Sequence, residues 1–173
     1  MPPYPAALVV AERVLKGLTV LNVVYGIGIL ILLIVSLVAP GPLFSALTGK
    51  PASDVHAAIR GMRLMMIVGI AAVPIAHVIL ARLRAMLVTV RSGDPFVLEN
   101  ARRLNSIALA VLALELLHFV VGAIAKSAAF AALGIHIDWT FSFTPWIAVL
   151  LLFVLARVFE HGARMREDLE GTV

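Results

Sequence analysis

Four long apolar stretches dominate this chain: Leu18–Ala39, Leu64–Ala81, Ile107–Ala125 and Pro145–Val158. A hydrocarbon core ~30 Å thick takes about 20 residues of helix at 1.5 Å rise each. Inside lipid every backbone N–H and C=O needs a partner within the protein, so segments of this kind cross as helices. The expectation is an all-α integral membrane protein, a bundle of four transmembrane helices forming one membrane domain over residues 1–173.

Composition supports this reading. Apolar residues are 62% of the chain, against roughly 45–50% in soluble domains, and they come in blocks rather than as periodic stripes. The chain has no cysteine, which rules out disulfides, thiolate metal sites and cysteine nucleophiles. Glu12, Arg13 and Lys16 precede an apolar run longer than a signal-peptide core, so the first span reads as a retained anchor. A net charge of +4 invites a nucleic-acid reading. In a membrane protein such an excess more often serves topology, and no direct nucleic-acid binding is expected.

The charges orient the spans. Arg13 and Lys16 lie before the first span. Arg82, Arg84, Arg91, Arg102 and Arg103 lie between the second and third. Arg157, Arg164 and Arg166 follow the fourth, which makes ten on one side. The other side has four: Lys50, Arg60, Arg63 and Lys126. Lys and Arg concentrate in short cytoplasmic loops, so both termini and the middle loop are expected in the cytoplasm. Arg60 and Arg63 fit this least well and are expected to snorkel to the outer headgroups.

Turn chemistry divides the chain further. Ala39-Pro40-Gly41-Pro42 reads as a helix stop followed by an outer loop to about Ala52, with Ser53 or Asp54 capping the next helix. Pro74 should kink the second span. That helix should run on to Arg91, where Gly93 fits the left-handed position that ends a helix. Asp94 then fits an N-cap and Pro95 a first helical residue. The result is a helical hairpin between spans two and three. Residues 135–143 alternate apolar and polar with period two, which reads as a short extended or β segment in an outer loop. The fourth helix should continue past the membrane to Glu170, with Glu160/Arg164, Arg164/Asp168 and Arg166/Glu170 as i,i+4 pairs and a stripe of Val158, Met165 and Leu169. Trp139 and Trp146 read as interfacial belt residues. Gly26, Gly28 and Gly69 permit close helix contact.

Asn22, His77, Glu115 and His118 interrupt the apolar spans. An ionisable residue at bilayer depth is a site candidate by default. Three readings stand: an interhelical polar clasp, a proton relay or small ligand site, and a metal site. Glu115-Leu-Leu-His118 matches half of a di-iron bundle motif. That architecture needs a second copy and further inward carboxylates, which no other span supplies, so no metal or cofactor is expected. The arginines near Asp94 and Glu99 either hold topology against anionic headgroups or form a docking surface for a protein.

The segment Gly93-Asp94-Pro95-Phe96-Val97-x-Glu99-Asn100 resembles a bacterial family of small four-helix membrane proteins, domain of unknown function 2975. The closing segment Phe159-x-x-Gly162-Ala163-x-x-Arg166-x-Asp168-Leu169-Glu170-Gly171-Thr172-Val173 also looks like that family's. The resemblance implies an inner-membrane protein with no established catalytic activity. Its members are often encoded beside small helix-turn-helix regulators, which implies a membrane partner for a cytosolic regulator. On that reading Gly93, Asp94, Pro95, Phe96, Glu99, Asn100, Arg166, Asp168, Leu169 and Glu170 form a cytoplasmic docking surface. The alternative is a small transporter or proton-coupled carrier, acting as a homo-oligomer through Glu115, His118 and His77. A membrane enzyme is the weakest class, because no catalytic constellation is legible.

Overall fold

The structure, a computed structural model, describes residues 6–49, 56–126 and 140–170. It is all-helical. Four long helices are α1 (Ala6–Val38), α3 (His56–Arg91), α4 (Leu98–Ala125) and α5 (Thr144–Glu170); the short α2 (Pro40–Thr48) follows α1. Each long helix has the length and mean hydropathy, between 1.7 and 2.6, of a membrane span. The chain is a multi-pass membrane protein.

Its surface supports that statement independently of length. Every long helix exposes large apolar residues such as Val and Leu, while among the described residues the buried polar and charged side chains are Ser36, Asn100 and Glu115. In water such an apolar surface would drive aggregation. In lipid it costs nothing, and the interior is free to hold small and polar residues.

By internal packing the chain divides into two compact units. One comprises Met1–Asn22, Ile75–Leu114 and Ser142–Val173; the other comprises Val23–Pro74 and Glu115–Phe141. In the first, α4 supplies most of the core: Ala101, Leu104, Ile107, Ala108 and Ala110 are buried. On α5 the buried residues are Val149, Ala156 and Ala163, seven apart and on one face. Small residues at that spacing let helix backbones approach closely.

In the second unit α1 and α3 meet through glycines. A Cβ on Gly26 would lie 3.1 Å from both Cγ atoms of Val73, and one on Gly69 would lie 3.0 Å from Ile29 Cδ1. Gly28 faces open space instead. Arg63 Nε donates to Ser36 Oγ at 2.9 Å, and Arg63 Nη2 donates to the Ser36 carbonyl. Arg63 is therefore tied to the end of α1 rather than extended to a headgroup.

Two local expectations need correction. Pro40–Thr48 is helical, not loop, because proline ends one helix yet suits the first turn of the next, where its missing N–H is no loss. Helix α4 begins at Leu98 rather than Pro95, for reasons given below. Pro74 lies inside α3, which runs from His56 to Arg91. Residues 135–139 lie outside the described residues; Thr140–Ser142 carry no regular structure, and no strand occurs among the described residues.

Candidate functional site

The hairpin starts where α3 stops. Gly93 has φ of +81°, the left-handed conformation that glycine adopts without strain. Gly93 N–H donates to the Val90 carbonyl (3.2 Å) and Asp94 N–H to the Thr89 carbonyl (3.1 Å). This pair of bonds is a Schellman cap, which satisfies carbonyls that the helix end would leave orphaned.

Asn100 sets the other side of the turn. Its side chain is fully buried, at 0% exposure. Nδ2 donates to Thr89 Oγ1 (2.7 Å) and to the Pro95 carbonyl (2.8 Å), and Oδ1 accepts from Arg103 Nη1 (2.9 Å). Holding the Pro95 carbonyl keeps residues 95–97 out of the helix, so α4 begins only at Leu98. Asp94 does not cap it, because its carboxylate pairs with Arg166 of α5.

The two segments singled out in the sequence thus meet. Besides the Asp94–Arg166 ion pair, the Phe96 ring packs on Phe159, with centroids 5.2 Å apart and planes tilted by 35°. Gly162 makes room for that ring: a Cβ there would stand 3.3 Å from Phe96 Cδ1. Phe96 is still 47% exposed, and Val158 and Met165 on α5 are exposed as well. Glu99 lies 3.8 Å from both Arg102 and Arg103 on its own helix. Asp168 is exposed, and the side chains of Leu169 and Glu170 lie outside the described residues.

Of the four polar residues in the spans, the structure brings two together. Glu115 is buried at 9% exposure, and its Oε1 lies 3.6 Å from Nδ1 of the half-exposed His118. Asn22 and His77 belong to the other packing unit, where Asn22 is half-buried and His77 exposed. Among the described residues no three His, Asp or Glu side chains cluster as metal ligands would.

A family model described as a protein of unknown function, DUF2975, matches residues 6–173. The chain belongs to the DUF2975 family. No curated protein and no solved structure matches it.

This DUF2975 chain also has a charged corner that sequence reading did not single out as a site. Glu12 of α1 accepts from Lys16 Nζ (2.7 Å) and Arg91 Nη1 (2.5 Å), while Arg91 Nη2 donates to the Leu8 carbonyl (3.3 Å). The hydrogen bond from Lys16, and then that from Arg91, hold the Glu12 carboxyl below its ordinary value of 4.5. The i,i+4 spacing of Glu12 and Lys16 is readable in the sequence; the contribution of Arg91, 79 positions along the chain, is not.

Proposed function

We propose that this DUF2975 protein is a non-enzymatic interaction protein of the bacterial inner membrane. Both termini and the hairpin face the cytoplasm, where the hairpin and the end of α5 dock a cytosolic regulator of the helix-turn-helix kind. The observation that carries this reading is the clasp between Asp94-Pro95-Phe96 and Phe159-x-x-Gly162-x-x-x-Arg166. It spends motif residues on joining segments 72 positions apart into one surface. Around the clasp, Phe96, Val158 and Met165 offer apolar area and Arg166 and Asp94 offer charge, the mixture a protein partner uses. The ten Lys and Arg residues on the hairpin side support the orientation. The helix-turn-helix partner comes from the family resemblance alone.

The test is capture of the regulator encoded beside the gene by the detergent-solubilised chain. Wild type should retain it. Phe96→Ala, and a chain lacking residues 162–173, should each lose it. Undiminished capture by both variants overturns the proposal.

A second reading, a small proton-coupled carrier, draws on the burial of Glu115 beside His118. It calls for Glu115→Gln to abolish proton or solute flux in proteoliposomes; unaltered flux removes it.

A further inference from the structure

Between α4 and α5, within the first packing unit, lies a groove of about 820 Å³. Its polar end is lined by Arg102, Asn105 and Ser106 of α4 and by Arg157, Glu160 and Arg164 of α5. Its other end is lined by Phe153 and Val154. The change of character follows the sequence. Helix α5 is apolar from Pro145 to Ala156 and carries its first charge at Arg157. Helix α4 turns apolar at Ile107, directly after Asn105 and Ser106. Within the groove α5 passes from the apolar Phe153 and Val154 to the charged Arg157, while the α4 residues that line it end at Ser106, immediately before that helix turns apolar, so the groove lies at the boundary between headgroups and hydrocarbon. From Phe153 to Arg164 the helix rises about 16 Å, enough for a headgroup and the start of an acyl chain.

Three arginines against one glutamate leave the lining at +2. Glu160 is shared, with Oε2 3.0 Å from Arg157 Nη1 and Oε1 2.6 Å from Arg164 Nη2. The nearest carboxylate to Arg102 is Glu99 at 3.8 Å, an exposed and weak pair. Ser106 Oγ donates its proton to the Arg102 carbonyl at 2.9 Å, so that proton is not offered to an anion.

We propose that this groove holds an anionic glycerophospholipid, its phosphate among Arg102, Arg157 and Arg164 and one acyl chain along Phe153 and Val154. The occupant has to be anionic at one end and apolar at the other, and it has to reach the groove from the plane of the membrane. A water-soluble phosphate has no use for the Phe153–Val154 floor. A zwitterionic lipid brings an ammonium that the arginines repel. Guanidinium groups are suited to the site because they bind phosphate through two parallel N–H donors. Glu160 is the internal competitor: it occupies Arg157 and Arg164 until a phosphate displaces it. The inference rests on this groove alone and is independent of any docked protein.

The experiment is native mass spectrometry of the delipidated full chain titrated with phosphatidylglycerol or phosphatidylcholine. Wild type should retain phosphatidylglycerol about tenfold more tightly, the scale expected for a few basic groups at a membrane surface. Arg102→Gln, Arg157→Gln and Arg164→Gln together should bring the two lipids to within about twofold of each other. Glu160→Gln should tighten phosphatidylglycerol binding, a gain that misfolding cannot produce. Arg13→Gln with Arg82→Gln, two exposed arginines outside the groove, should leave the preference intact. The proposal is overturned by equal retention of both lipids in wild type, or by equal loss in the Arg13/Arg82 variant, which would mean unspecific surface charge. Competition by glycerol phosphate as effective as that by the intact lipid also overturns it, because the apolar floor would then contribute nothing.

Discussion

Asn100 shows how much one side chain settles. Both of its amide protons and its oxygen are used, and the Thr89 hydroxyl it donates to passes its own proton to the Met86 carbonyl at 2.7 Å. Replacing it with alanine leaves the Pro95 carbonyl without that donor in a half-buried place, at a cost of about 2 kcal/mol. Asn100→Asp should be at least as damaging at neutral pH, because a carboxylate oxygen would then face the Pro95 carbonyl. Unfolding midpoints in detergent measure both; a midpoint unmoved by Asn100→Ala would mean the hairpin is held elsewhere. Glu12 gives a prediction in pH. A carboxyl whose folded pKa lies below its unfolded one adds stability that is fully present above the unfolded value and is lost as pH falls through the folded value. The hydrogen bonds from Lys16 and Arg91 therefore stabilise the fold at neutral pH, and that contribution is lost as pH falls below 4.5 and through the lowered folded value. Glu12→Gln should lower the unfolding midpoint slightly at neutral pH and not at all in acid, and added salt should shrink the difference, since the group is only half-buried. Neither role is legible in the sequence as an energy. Asn100 stands out there only as part of a motif, and Glu12 only as one charge before a span.

At the scale of elements, the instructive case is the end of α1. The Ser36 carbonyl would normally accept from the N–H of residue 40, but residue 40 is proline and has none. Arg63 supplies the missing donor and bonds the Ser36 hydroxyl as well, while Ser36 is fully buried. Arg63→Met should cost about 2 kcal/mol, the scale of a bond to a charged donor. Ser36→Ala should cost less, because the carbonyl bond survives. Pro40→Ala placed in the Arg63→Met background should recover part of the loss by restoring the helical N–H, and a double-mutant cycle in thermal unfolding reads that coupling. Strict additivity would show that Arg63 does not answer the proline. The four long helices and the Gly93 stop were readable because hydropathy and glycine chemistry are local. The helix at Pro40–Thr48 was not, since proline can both end and begin a helix and nothing nearby chooses. The start of α4 was not either: the Asp94 side chain is claimed by Arg166, and that contact exists only in the folded chain.

For the molecule as a whole, the decisive property is the inversion of its surface, with apolar residues outside and Ser36, Asn100 and Glu115 inside. That property was legible in the hydropathy blocks. The meeting of the two motif segments was not, because a motif names residues without naming their partners; nor was the exposure of His77, which depends on which face of α3 is turned outward. Orientation in the bilayer follows from a different physical term. Positive residues resist transfer across the membrane, so on the orientation proposed above the side with ten Lys and Arg residues would stay where the chain is made and the side with four would cross. The clasp adds a constraint that charge counting lacks: Asp94 and Arg166 pair directly, so the hairpin and the end of α5 must share a compartment. A reporter inserted after Gly93 and one fused to the C-terminus should therefore both report cytoplasm, and one inserted after the exposed turn residue Gly49 should report the opposite side. Reversing the sign of Asp94 and Arg166 together, as Asp94→Arg with Arg166→Asp, should preserve the pair and leave all three readouts as they are, because the net charge on that side is unchanged. A Gly93 fusion that reported the far side while the C-terminal fusion stayed inside would separate two segments the ion pair joins, and neither the clasp nor the orientation would survive that result.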